Sequence, residues 1–158
     1  MNEADYEAQR TERGFEMYRA VYGDDMPQPD PKASLYVGQM MRHLFAETWG
    51  REALSVRDRR LVIMGVLAAS GQADKVEIQF RRAHELGELS FDELEEIVLQ
   101  LVAYCGYGMV SSLSMLVPHM RGEAASGAVG TAGALAHAGM NPSQKATIQR
   151  DGTQAGGG

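Results

Sequence analysis

The apolar positions of this chain recur at helical spacing, and no stretch shows the two-residue alternation of a half-buried strand. Between residues 3 and 22, Tyr6, Phe15, Tyr18 and Tyr22 stand among charges at roughly helical intervals. GDDMPQPDPK, with its three prolines, then breaks the pattern and predicts a long connector. From Ser34 to Trp49, Leu35, Met41, Leu44, Phe45 and Thr48 share one side of a second helix, with Arg42 and Glu47 elsewhere on its surface. In SVRD, Ser55 and Asp58 have the spacing of a capping box. The LVIMGVLAA run that follows at 61–69 is apolar all round, which predicts a central helix ended by Gly71. Another helix is predicted from about Ala73 to Leu86, with Gly87 as its stop. Ser90 and Glu93 of SFDE form a second capping-box pattern. They open the clearest amphipathic helix, striped by Phe91, Leu94, Ile97, Val98, Leu101, Val102 and Cys105. GYG at 106–108 interrupts it, and MVSSLSMLVPHM supplies a last helix to Pro118 or a little beyond.

The predicted fold is therefore all-α, a compact bundle of about six helices. One helical domain is expected over residues 1–121. The Gly- and Ala-rich residues 122–158 bury too little to pack and are expected to form a mobile tail, in which GALAHAGM has the makings of one helical turn. A length of 158 residues suits one domain with a core that needs neither disulfide nor metal. Composition adds little: 44% hydrophobic and 23% charged residues are those of an ordinary globular chain. Charge excludes more. A formal net charge of -6 argues against nucleic acid or an anionic membrane as a partner. The polar start MNEADYEAQRTERG shows no targeting signal, and the longest apolar run is about half of a membrane span, so a cytoplasmic protein is expected. The single cysteine, Cys105, excludes an intramolecular disulfide and any two-cysteine redox centre within one chain.

The order of segments resembles the carboxymuconolactone decarboxylase family from about Arg10 to His119. The elements that carry the resemblance are the Trp-x-Arg of TWGREALS, the RDRRLV entry to the apolar helix, the A-x-x-x-G-x-x-S-x-x-E-L turn of AHELGELSFDEL, and YCG. The resemblance implies an all-helical fold that assembles as homotrimers or homohexamers, with active sites near subunit contacts and no cofactor. It also implies where chemistry should lie. In members similar to alkylhydroperoxidase D, the cysteine pair would fall on Gln72 and Lys75, the histidine on Gln79 and the glutamate on Arg60, so thiol peroxidase chemistry is excluded. In the decarboxylase branch, the histidine of a pattern such as LRLH falls on Gln79 of VEIQ, and a glutamine takes up no proton at neutral pH.

Other residues are candidates for the missing proton transfer. His43 and Glu47, four apart on one helix face, have the spacing of an acid/base couple; the plain alternative is a surface ion pair. Arg51 and Arg57 are the arginines proposed to hold a substrate carboxylate, against the alternative of a solvated basic face. Gln79 would position substrate by hydrogen bonding. Tyr104, and beside it Tyr107, would donate a phenol to a developing enolate or pack against a neighbouring helix; Trp49 would be a pocket wall or core anchor. His119 and His137 have no partners at metal-ligand spacing, so no metal is expected. Two functions remain open: cofactor-free decarboxylation or related acid/base chemistry on a small carboxylated lactone or enolisable acid, and a non-catalytic, ligand-binding member that has lost the histidine.

Overall fold

The computed structural model describes residues 2–127, and among them the chain is helical with no strand. Helix α1 spans Glu3–Tyr22, opened by Asn2, whose side chain accepts from the Asp5 amide at 2.8 Å, and closed by Gly23 at φ 85. After the proline-rich connector, Ser34 caps α2, Leu35–Gln39. The chain then runs on without a break into a π-helical segment, Met40–Trp49, whose end is marked by the Gly50 amide donating to the Phe45 carbonyl five residues back. Helices α3 (Val56–Ala69), α4 (Ala73–Glu85) and α5 (Phe91–Cys105) follow. Short α6 (Tyr107–Val110) leads through a 3-10 turn, Ser111–Leu113, to α7, Leu116–Ser126. The cap of α5 is a complete capping box: Ser90 Oγ accepts from the Glu93 amide while Glu93 accepts from the Ser90 amide. Gly106, at φ 83, ends α5 where GYG predicted an interruption.

Two apolar clusters divide the molecule. The larger joins α3, α4, α5 and α7 around Met64, Phe80, Leu94, Leu101 and Val117, and fully burying a side chain of this kind contributes about 1.5–3 kcal/mol. The smaller joins α1 to the π-helical segment around Tyr18, Val21, Met41, Phe45 and Trp49. At this second contact the backbones nearly touch: a Cβ on Gly14 would stand 2.2 Å from the Met41 carbonyl oxygen, so only glycine lets α1 cross there.

Three expectations are corrected. The π-helical winding buries Met41, Phe45 and Trp49, whereas Leu35, Leu44 and Thr48, assigned to the core side, are exposed. Helix α3 is not central in the single chain, since Val62 and Val66 are each 60% exposed. The last helix begins later than MVSSLSM implied and continues through residue 126, because Met120 is buried and Glu123 is tied to Arg81. What was expected of residues 128–158 lies outside the described residues.

Polar groups join the two clusters. Arg60, on α3, is fully buried and donates to the Val21 carbonyl at 2.6 Å, to Gln79 Oε1 at 2.7 Å and to both carboxylate oxygens of Glu88. Arg82, on α4, makes a two-pronged pair with Asp25 in the connector at 2.9 and 3.0 Å. This pair holds the Asp25 carboxyl below the usual carboxylate range.

Candidate functional site

The position implied for the family histidine is occupied and closed. Gln79 is buried on α4; its Oε1 accepts from Arg60 and its Nε2 donates to the Tyr22 hydroxyl at 3.2 Å. Arg60 stands where the glutamate of the peroxidase-like members would fall. Two positions implied to be chemically paired are thus in contact, but as a guanidinium and an amide. Gln79 does not ionise and the adjacent Glu88 is bound by Arg60, so the arrangement ties α3 to α4 and to the turn after it. Gln79, expected to hydrogen-bond substrate, uses its amide within the fold. Gln72 and Lys75 bond each other at the start of α4.

The second candidate position is assembled differently. On the π-helical segment, His43 Nδ1 lies 2.8 Å from Glu47 Oε2, and both side chains are about half exposed. The other Glu47 oxygen accepts from Arg10, a residue of α1 that is itself 7% exposed. Arg10 Nη2 also stands 3.1 Å from His43 Nδ1 and 3.4 Å from Nε2, and its other terminal nitrogen is held by Glu7 at 2.7 Å. Glu7 in turn binds Arg42 at 2.8 Å. Hydrogen bonding from His43, with that from Arg10, holds the Glu47 carboxyl below the usual range against the opposing effect of burial. Burial pulls the Arg10 guanidinium down, but its bonds to Glu7 and Glu47 outweigh this and raise it, so the carboxylate meets a permanent cation. With Nδ1–H assigned as donor to Glu47, Nε2 is the ring nitrogen that carries a lone pair, and it lies 3.4 Å from the Arg10 guanidinium. This arrangement can do acid/base chemistry.

The remaining candidates do not join the couple. Arg57 donates to the Glu88 carbonyl and to Glu93 at 3.0 Å, which answers its charge. Arg51 is exposed in the loop after the π-helical segment, and its guanidinium has no partner among the described residues; only its carbonyl is used, by Arg59. Tyr104 and Tyr107 are 83% and 81% exposed, which corrects the expectation that they pack against a neighbouring helix within the chain. Trp49 is a core residue stacked on Phe45. The cavities of about 890 Å³ between α4 and α7, 570 Å³ at the start of α1, 520 Å³ between α3 and α5 and 480 Å³ between α5 and α7 are lined by none of His43, Glu47 and Gln79; Arg57 lines the third. Among the described residues, no three of His, Cys, Asp and Glu stand close enough to share an ion.

Sequence reasoning missed Arg10 and the burial of Arg60, and a signal for both was present. Arg60, Met64 and Ala68 fall at four-residue intervals on the buried side of α3, and Arg10, Gly14 and Tyr18 do the same on α1. An arginine in register with an apolar stripe is a candidate buried cation.

No curated protein and no solved structure matches the chain. The model of the Carboxymuconolactone decarboxylase family matches residues 35–114, which is 80 of the 158 residues. That stretch runs from the first residue of α2 to just past the 3-10 turn and includes His43, Glu47, Arg60 and Gln79, while α1 with Arg10 and α7 lie outside it. With the match over half of the chain and the all-helical order in place, the chain belongs to the carboxymuconolactone decarboxylase family.

Proposed function

We propose that this chain is an acid/base enzyme acting, without a cofactor, on a small carboxylated lactone or another enolisable acid, and that proton transfer is carried by His43 and Glu47. The observation that supports it is the 2.8 Å bond between His43 and Glu47, with the carboxylate held from behind by a buried arginine of a different helix. The π-helical winding of the same segment adds weight, since π turns are rare and occur often at functional sites. In a decarboxylation, the bond from carbon to the carboxylate breaks and its electrons pass into an enolate. Protonated His43 returns a proton to carbon, and Glu47 stabilises the imidazolium. Arg51, whose guanidinium is unengaged among the described residues, is the arginine proposed to hold the substrate carboxylate.

The site needs a covering surface, and we propose that a second copy of the chain provides it in a homotrimer or homohexamer. Exposed Val62, Val66, Leu99, Tyr104 and Tyr107 support self-association, and light scattering that finds only monomer at micromolar concentration contradicts it. One observation favours a second reading, a ligand-binding member without turnover: Gln79 and Arg60 have become structural where the family resemblance places chemistry. Carbon dioxide release and exchange of the α-proton in D₂O, followed by proton NMR over a panel of lactone carboxylates and enolisable acids, separate the two. The acid/base reading expects turnover of at least one acid, lowered at least about a hundredfold by His43→Ala, in line with the usual contribution of a general acid or base. Absence of turnover across the panel favours the binding reading.

A further inference from the structure

A second imidazole and carboxylate couple stands at the other end of the molecule. On α7, His119 Nε2 lies 3.3 Å from Glu123 Oε1, and Glu123 Oε2 accepts from Arg81 of α4 at 2.7 Å. Arg81 is 8% exposed, and its Nε donates to Glu77 Oε1 at 2.8 Å, so one buried guanidinium fixes two carboxylates one helical turn and one helix apart. Its hydrogen bond holds the Glu123 carboxyl below the usual range. Unlike the first couple, this one lines an open surface depression of about 890 Å³.

We infer that this cavity binds a small organic cation, an ammonium group carried on an apolar body. The wall presents Glu77, Glu123, the hydroxyl of Ser112 and the imidazole of His119, while Arg81 lies behind it and is not part of the lining. Two carboxylates stand against one arginine, and Glu77 Oε2 has no partner among the described residues. An ammonium donates to that oxygen and to Ser112. An anion would face both carboxylates, while Arg81 Nε and Nη1, bonded to them, lie behind the lining. A bare metal ion lacks a third ligand among the described residues. Met115, Leu116 and Pro118 supply the apolar part of the wall, which takes a hydrocarbon or aromatic body. Because α7 and its Glu123 lie beyond the residues matched by the family model, the site depends on a part of this chain that the match does not cover.

The test is titration of the full chain with 2-phenylethylammonium, with 3-phenylpropionate as the matched anion, followed by the ring resonances of His119 and His43. Ammonium is expected to shift His119 and leave His43 unmoved, with phenylpropionate doing neither. Glu77→Gln, a change at a partly exposed side chain that keeps the shape, is expected to weaken ammonium binding roughly tenfold, as loss of a charge-assisted hydrogen bond would. No shift of His119 at millimolar ammonium, an equal response to the anion, a shift confined to His43, or unchanged affinity in Glu77→Gln each overturns the assignment.

Discussion

The Arg60–Gln79 contact and the His43–Glu47 couple use similar side-chain chemistry to opposite ends. In the first, every group faces inward: Arg60 is fully buried, Gln79 has partners at both amide atoms, and the nearby carboxylate is bound. In the second, a buried arginine reaches outward and holds a carboxylate and an imidazole that remain half exposed. A hydrogen-bonded group that is closed on all sides stabilises the fold. One that is fixed from one side and half exposed on the other is available to a substrate. Loss of the histidine at position 79 therefore need not remove acid/base chemistry from the protein; it removes it from α4.

Substitutions at the closed position should act on stability, and Arg60→Ala should act most. It strands Glu88, Gln79 Oε1 and the Val21 carbonyl, and breaking a buried pair of this kind costs roughly 3–5 kcal/mol. Urea unfolding monitored by circular dichroism measures it; a loss below about 1 kcal/mol would place Arg60 in solvent.

Gln79→Ala leaves one Arg60 nitrogen and the Tyr22 hydroxyl short of a partner, for an expected loss of about 1–3 kcal/mol in stability and little change in turnover. Gln79→His sharpens the comparison. Its imidazole would lie between a guanidinium donor and the Tyr22 hydroxyl, closed to substrate, so no gain in turnover is expected; a clear gain would show that the α4 position still opens to a ligand.

The contact of α1 with the π-helical segment has its own signature in alkali. Burial, with Tyr22 adding to it and Arg82 opposing, pushes the Tyr18 phenol up to about 12. The folded state holds the proton longer than the unfolded chain, so stability is complete below the ordinary phenol value of about 10 and falls as pH rises from 10 through 12, by roughly 2–3 kcal/mol. Tyr18→Phe should flatten that decline in thermal midpoint between pH 9 and 11.5, at the cost of the hydrogen bond to the Pro27 carbonyl, about 1 kcal/mol.

The smallest effect is expected in acid. Asp25, Glu47, Glu93 and Glu123 are held below the usual range by their partners, so they contribute stability above that range that fades as pH falls through their lowered values. Glu85, raised by burial, has the opposite sign and offsets part of it. Glu47→Gln should remove a small share of the acid dependence.

Local patterns carried much of the fold into view: the Ser90 and Glu93 cap, the stripe of α5 and the breaks at Gly71, Gly87 and Gly106 each depend on neighbours within a few residues. The π-helical winding was not legible, because bonding to the fifth residue back leaves no mark in an amphipathic pattern read at the α-helical period. Arg10 joins His43 from 33 residues away, a distance at which no local motif operates. The RDRR run looked like a solvated face although Arg60 shares its stripe with Met64 and Ala68. The apolar run of α3 was read as central because an apolar pattern on every side reads as burial on every side, whereas Val62 and Val66 are exposed in the single chain.

The most direct test of the central claim is the pH dependence of kcat/KM for an acid turned over by the wild type, compared in His43→Ala and Gln79→Ala. If proton transfer belongs to the exposed couple, the limb set by the imidazole is present in wild type and Gln79→Ala and disappears in His43→Ala along with most of the rate. A limb that survives in His43→Ala, or a rate that falls in Gln79→Ala and not in His43→Ala, would contradict the account.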